Sequence, residues 1–337
     1  MVGVESLVQT AGVIRTTSAA NDAVTIRVGG NSDLVFPNLA VVGGVVVEVG
    51  GAIVSGGGAA VDVTAGRLEV TAGTSIDLKT DVEELIARTT GAGTIRIDEA
   101  DALQLLESTT TNGNIDITAG ATIQIGQITA GGLGTDVTLT SDTGSVITRI
   151  GGGPSLVRGD HLEVNAATGV DLDTQVNSVA GMVTATGAWA VRDQDALTVT
   201  DVEAFNGDVT VVATGLQLGS ITSNANVRLE ATTGGIQDNN GPATNGTAES
   251  LQVISFGSAA FHTNVEHLTA TFTGAGGLQI VEQDGIEVAD VQMAGGSVLV
   301  IADTLTVAGV DTTGDVWLIA RTGAITAYSQ KELPSLR

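Results

Sequence analysis

The passage LEVTAGTSIDLKTDV begins at Leu68, returns at Leu162 as LEVNAATGVDLDTQV, and starts again at Leu251 as LQVISFGSAAFHTNV. A chain that rewrites itself at a fixed interval builds an array of stacked units, each burying its apolar face on the next. The long repeat divides further. Cuts at 74–93, 94–113 and 114–135, then 168–187, 188–207 and 208–225, then 277–296 and 297–314, each isolate one short unit. These units hold about 20 residues, and every fourth is stretched to about 32.

Within a unit the apolar residues alternate. Ile95 and Ile97 are followed by Leu103 and Leu105, Val209 and Val211 by Leu216 and Leu218, Val298 and Val300 by Leu305 and Val307. A spacing of two means a strand with one buried face. Units end at Asn112-Gly113, Asn206-Gly207, Gly295-Gly296 and Thr313-Gly314, where Gly is expected to supply the positive φ of a sharp corner. Composition agrees. Val, Ile and Thr are abundant and aromatics are 2% of the chain, while 46 glycines without a three-residue period and only 4 prolines exclude collagen. The segments 81–88 and 264–271 come nearest to a helical pattern, but the second is rich in β-branched residues and both read as strand. An array of β-sandwich domains is the competing architecture. It would leave the short period unexplained, and no Trp or Tyr recurs as a core landmark.

The expected fold is therefore all-β, a right-handed parallel β-helix (β-solenoid) of about 20 residues per coil with a four-coil super-repeat of about 90 residues. Residues 1–44 are expected to form irregular N-terminal coils or a cap. Residues 45–337 form the β-helix, with super-repeats near 68–161, 162–250 and 251–337.

The units opening NGNIDITAG, NGDVTVVAT, TGDVWLIAR and TDVTLTSDTGSVI, with their turn glycines, give residues 45–327 a pattern that resembles the filamentous haemagglutinin family and related giant bacterial exoproteins. The resemblance implies a non-catalytic stalk segment of a large surface or secreted protein, structural or adhesive, located at the bacterial cell surface or outside the cell as part of a longer chain. Residues 1–15 have neither the basic start nor the continuous apolar stretch of a signal peptide.

Charge narrows the partners. Thirteen basic residues against 38 acidic ones give a net charge of −25, which disfavours phosphate backbones and anionic bilayers. No run is apolar enough for direct membrane insertion. With no cysteine there are no disulfides or thiolate metal sites.

In the second coil of each super-repeat one corner reads Glu99-Ala100-Asp101, Asp193-Gln194-Asp195 and Glu282-Gln283-Asp284. Two carboxylates one residue apart on a turn can share Ca²⁺, which prefers oxygen ligands, so all six acids are candidate calcium ligands. The competing reading is an Asp that accepts turn N–H bonds beside a solvated acid. A second polar column stacks Asn114 with Asp136, Asp208 with Asn226 and Ser297 with Asp315, pairing an acid with a neutral group as a structural ladder would.

The histidines, His161, His262 and His267, are too scattered for a triad. A carbohydrate-active β-helix enzyme, a polysaccharide lyase or hydrolase, is the alternative function. It would need clustered acids with Lys or Arg, and the candidates are Asp171, Asp173 and Arg192, or Arg96 with Asp98. Trp189 and Trp317 fall on inward-looking strand positions. The loops 149–161 (RIGGGPSLVRGDH) and 237–250 (QDNNGPATNGTAES) stretch every fourth coil and are expected to carry contacts to a surface or matrix partner. The first contains Arg158-Gly159-Asp160, which matches an integrin-binding tripeptide. End coils of a solenoid expose strand edges, so a self-assembling fibre subunit that associates end to end is a further alternative.

Overall fold

The computed structural model describes residues 14–327, apart from 17, 37, 57, 59 and 150–154, in two compact units divided in sequence after Thr184. Among the described residues there is no helix, and hence none that could cross a membrane. Strands pair in parallel with strands about one coil away, so each unit is a parallel β-solenoid.

One coil of the first unit shows how the sequence makes the turn. The strand Leu103–Thr110 lies on Ile123–Ala130, with Leu103 against Ile123 and Ser108 against Ile128. The strand Ile115–Ala119 lies between 95–99 and 137–141. Burial alternates through Leu103 and Leu105, slips where Leu106 and Glu107 both face outward, and resumes at Ser108 and Thr110. The pairing of this strand with residues 84–88 shifts register at the same point, between Leu105 and Glu107. One extra residue turns the chain through a corner, as a bulge does. Each coil therefore has three short faces: 103–105, 107–110 and 115–119. The second unit repeats the device, with Ala289 the extra residue where 285–293 passes 267–272.

Inward positions are branched aliphatics. Ile95, Ile97, Leu103, Leu105, Ile115, Ile117, Ile123 and Ile125 are all at most 1% exposed. Each such burial is worth about 1.5–3 kcal/mol against the exposed side chain. Where two faces converge on a corner the inward residues are small and hydroxylic. Thr110 Oγ1 donates to the Gly113 carbonyl at 2.6 Å, and Ser255 Oγ to that of Gly257 at 2.9 Å.

The corner glycines differ from expectation. Gly113, Gly207 and Gly314 do not have positive φ; of the glycines ending a unit, Gly296 does, at 93°. Their requirement is space. A Cβ on Gly113 would stand 2.0 Å from the Gly93 carbonyl oxygen, and one on Gly207 1.8 Å from that of Gly187. Stacked corners bring backbone onto backbone with no room for a side chain.

Solenoid register also holds within the stretch expected to be irregular: Val24–Val28 pairs residue for residue with 45–49. The two segments nearest a helical pattern lie in the strands Ile76–Thr89 and Ala259–Phe272. Trp189 is fully buried, as expected, but Trp317 faces outward and is 50% exposed. It pairs with Leu299, so the inward positions of its strand are Val316 and Leu318.

The stretched coils are shorter in loop than the sequence suggested. In the second unit the insertion is 239–245, between Ile236–Asp238 and Gly246–Ser255. It sits at the corner where the preceding coil has only Gly219 and Ser220, since Leu218 pairs with Asp238 and Ile221 with Gly246. The first unit has two insertions, which enter different strand columns, the first over 76–80 and the second between the partners of Ile125 and Gln127. One is 56–62, which the sequence did not single out, and the other is 149–155, of which 150–154 lie outside the described residues. Residues 156–161 and 246–250, expected to be loop, are strand. Arg158-Gly159-Asp160 is thus held in a sheet, with Arg158 Nε donating to Gln175 at 3.0 Å and Asp160 accepting from Asn177 at 2.6 Å.

Candidate functional site

The three acidic corners occupy equivalent places, but each pair is split between inside and outside. Glu99, Asp193 and Glu282 are buried, while Asp101, Asp195 and Asp284 are exposed. Glu99 accepts from Thr80 Oγ1 at 2.7 Å and from the Val82 and Asp101 amides at 3.1 and 3.3 Å. Glu282 repeats this with Thr263 Oγ1 at 2.7 Å and the Val265, Gln283 and Asp284 amides at 3.1, 2.8 and 3.3 Å. Asp193 accepts from the Asp195 amide at 2.8 Å. The sequence reading made the Asp the turn acceptor and its neighbour the solvated acid. The structure reverses them: the first acid binds the turn and the second is in solvent. A side chain long enough to fold back reaches both its own corner and the coil before it.

Burial pushes the carboxyls of Glu99 and Glu282 above their ordinary range, and the hydrogen bonds from Thr80 and Thr263 oppose the rise. Calcium needs six or more oxygens around one point. Here the oxygens of each inner glutamate face N–H and O–H donors, and the outer Asp turns away. Among the described residues no group of three or more His, Asp or Glu is gathered as a metal would require. At Glu99 and Glu282 the inner acid acts as a buried staple between adjacent coils.

The second polar column forms the ladder expected of it at two of its three rungs. Asn114 Oδ1 accepts from the Asp136 amide at 3.0 Å, and Asp208 Oδ1 accepts from Asn226 Nδ2 at 2.9 Å. Arg96 reaches across a coil to Asp116 at 3.9 Å rather than along its own strand to Asp98. The ladder Glu84–Arg67–Glu69–Arg88–Glu107, which the sequence reading missed, crosses three coils. Arg88 holds Glu107 through two bonds of 2.7 and 2.6 Å and Glu69 at 2.9 Å. The hydrogen bonds from Arg88 draw the Glu107 carboxyl below its ordinary range against the opposing effect of burial.

The insertion 239–245 builds the most developed surface feature. Its base is Asn245, fully buried, whose Nδ2 donates to the Leu218 carbonyl at 2.7 Å and to Asn240 Oδ1 at 2.9 Å, while its Oδ1 accepts from the His262 amide at 2.8 Å. Asp62 plays the corresponding part in the first unit, accepting from Ser55, Gly56 and Lys79. Pro242, Ala243 and Thr244 wall a groove of about 460 Å³ whose other lining includes His262, Gln283 and Arg321. His262 Nδ1 lies 3.4 Å from Asp238 Oδ2, an ion-pair distance without the alignment of a hydrogen bond. Burial raises the Asp238 carboxyl, but donation from Asn245 and from the amides of Asn240 and Gly241 outweighs it, leaving a net fall.

Arg321 is committed to the frame, with Nε on Asp303 at 2.9 Å and Nη2 on the Glu282 and Gln283 carbonyls. A second groove of the same size lies across the corner, lined by Asn224, Glu249, Asn264, Glu266 and Asp284 among others. His161 and His267 are elsewhere, against Ser178 and Glu287. Neither groove was legible from spacing, because each is assembled from coils stacked about 20 residues apart. No protein-family model, curated protein or solved structure matches the chain.

Proposed function

We propose that the chain is a structural and adhesive stalk segment of a bacterial cell-surface or secreted protein, of the filamentous haemagglutinin-like kind, and that it presents the insertions of its stretched coils to a surface or matrix partner. The observation that supports this reading is the placement of the insertions. The strands flanking 149–155 and 239–245 keep their pairing with the neighbouring coil, so the insertions add surface without interrupting the strand stack. The insertion 239–245 is anchored by buried Asn245 and walls a groove, as a preformed contact element would be.

A second reading, a carbohydrate-active enzyme, draws on that groove, where His262 in its lining stands beside Asp238 as an acid–base pair. One experiment separates the two. The protein is incubated with a panel of acidic and neutral polysaccharides and with cell-surface and matrix preparations, and both retention and new reducing or unsaturated ends are measured. The stalk reading predicts retention without new ends. Chain cleavage that disappears in His262→Ala would replace it with the enzyme.

A further inference from the structure

One face of the second unit changes character along its length. The outward residues of successive coils in this column are Thr198, Gln217 and Gln237, then Ala260 with His262, Gln279 with Val281, Leu299 with Ile301, and Trp317 with Ile319. The inward partners Leu278, Ile280, Val298 and Val300 are at most 2% exposed, so the core is already filled from the other side. Leu299, Ile301 and Val281 are half-buried on the outside, and Trp317 and Ile319 are 50% and 45% exposed. The adjoining face of the same coils carries Glu287, Thr306 and Thr326. The last coil is open at Val316 and Ile325 as well, at 43% and 49% exposed, but Val281, Leu299 and Ile301 carry the apolar surface back along one sheet face of the coils before it.

Outward strand positions have no packing reason to be apolar, and a contiguous patch of this kind marks a contact surface. Its margin is acidic. Asp315 borders one edge, Asp303 and Asp284 the other, and the one cation there among the described residues, Arg321, is taken by Asp303. A second copy laid on this face would bring acidic margins together in a chain of net charge −25. We propose that the face formed by Val281, Leu299, Ile301, Trp317 and Ile319 docks a protein partner whose contact surface has an apolar centre and a basic margin. Trp is the side chain most often found at the centre of such contacts. This site goes beyond the proposed function and does not depend on the insertion 239–245.

The test uses an extended peptide alternating leucine and lysine, with an alternating leucine–glutamate peptide and oligolysine as controls. Binding is read from the emission of Trp317, taken as the difference from Trp317→Phe. The leucine–lysine peptide should shift that emission to the blue, with affinity falling in high salt. Ile301→Thr and Ile319→Thr, each made separately and checked for an unchanged circular dichroism spectrum, should weaken binding about tenfold. The leucine–glutamate peptide should not bind. Equal binding by both variants, or equal binding of oligolysine, would overturn the proposal. So would a dimer of the protein in sedimentation that Ile301→Thr dissolves, since the occupant would then be a second copy.

Discussion

Glu282→Gln isolates one atom of the corner staple. In the protonated acid the carboxyl hydroxyl can donate to Thr263 and still accept from the Val265 amide, which lies 3.1 Å from Oε2. An amide nitrogen in that place can donate but cannot accept, so the buried Val265 N–H loses its partner. The expected cost is about 1–3 kcal/mol. The pH dependence has a definite sign. Burial raises the folded-state carboxyl above its ordinary value of 4.5. The folded state therefore holds the proton more tightly than the unfolded state. Glutamate's contribution is fully present below the unfolded value and is lost as pH rises through the folded one. The gap between wild type and Glu282→Gln should be widest in acid and narrow toward neutrality. Urea midpoints across that range give the gap, and hydrogen exchange at 263–265 and 282–284 locates it. A gap that is absent, or that widens with pH, would refute the reasoning.

Gly113→Ala should cost about 1–3 kcal/mol, because its Cβ would meet a backbone oxygen at 2.0 Å, and the loss should appear as faster exchange at the corner. Arg88→Gln should cost about 0.5–1 kcal/mol, reduced by salt, since the network is a third exposed. Because Arg88 lowers the Glu107 carboxyl, that contribution should be present above Glu107's ordinary 4.5 and disappear as pH falls through its depressed value. Asn245→Ala should make 239–244 the first site of proteolysis, while exchange in Val209–Ala213 stays slow. Melting with EDTA or with added Ca²⁺ should give the same midpoint, as the corner acids bind amides and hydroxyls; a rise with Ca²⁺ would contradict that assignment.

The coil length and inward positions were legible because alternation and corner glycines are local signals repeated many times. The acid-x-Asp recurrence was legible too, but which acid turns inward depends on reach into the preceding coil, to Thr80 or Thr263, which spacing does not encode. Trp317 was misplaced because Val316, Trp317, Leu318 and Ile319 are all apolar, so alternation cannot choose a face. The insertions were drawn too long because Gly246, Thr247 and Ala248 look like loop in sequence yet pair with 263–265. The grooves and the apolar face were invisible since their members, such as Thr244 and Arg321, meet only through stacking.

The most direct test of the scaffold account removes 239–245 and closes the corner with Gly-Ser, as the preceding coil does at Gly219 and Ser220. Melting and cell-surface or matrix retention are then measured on the same preparation. The account predicts a folded protein with its strand spectrum intact and its retention lost. A variant that fails to fold, or one that folds and is retained as well as the wild type, would contradict the claim that the solenoid is a frame and the insertion its contact element.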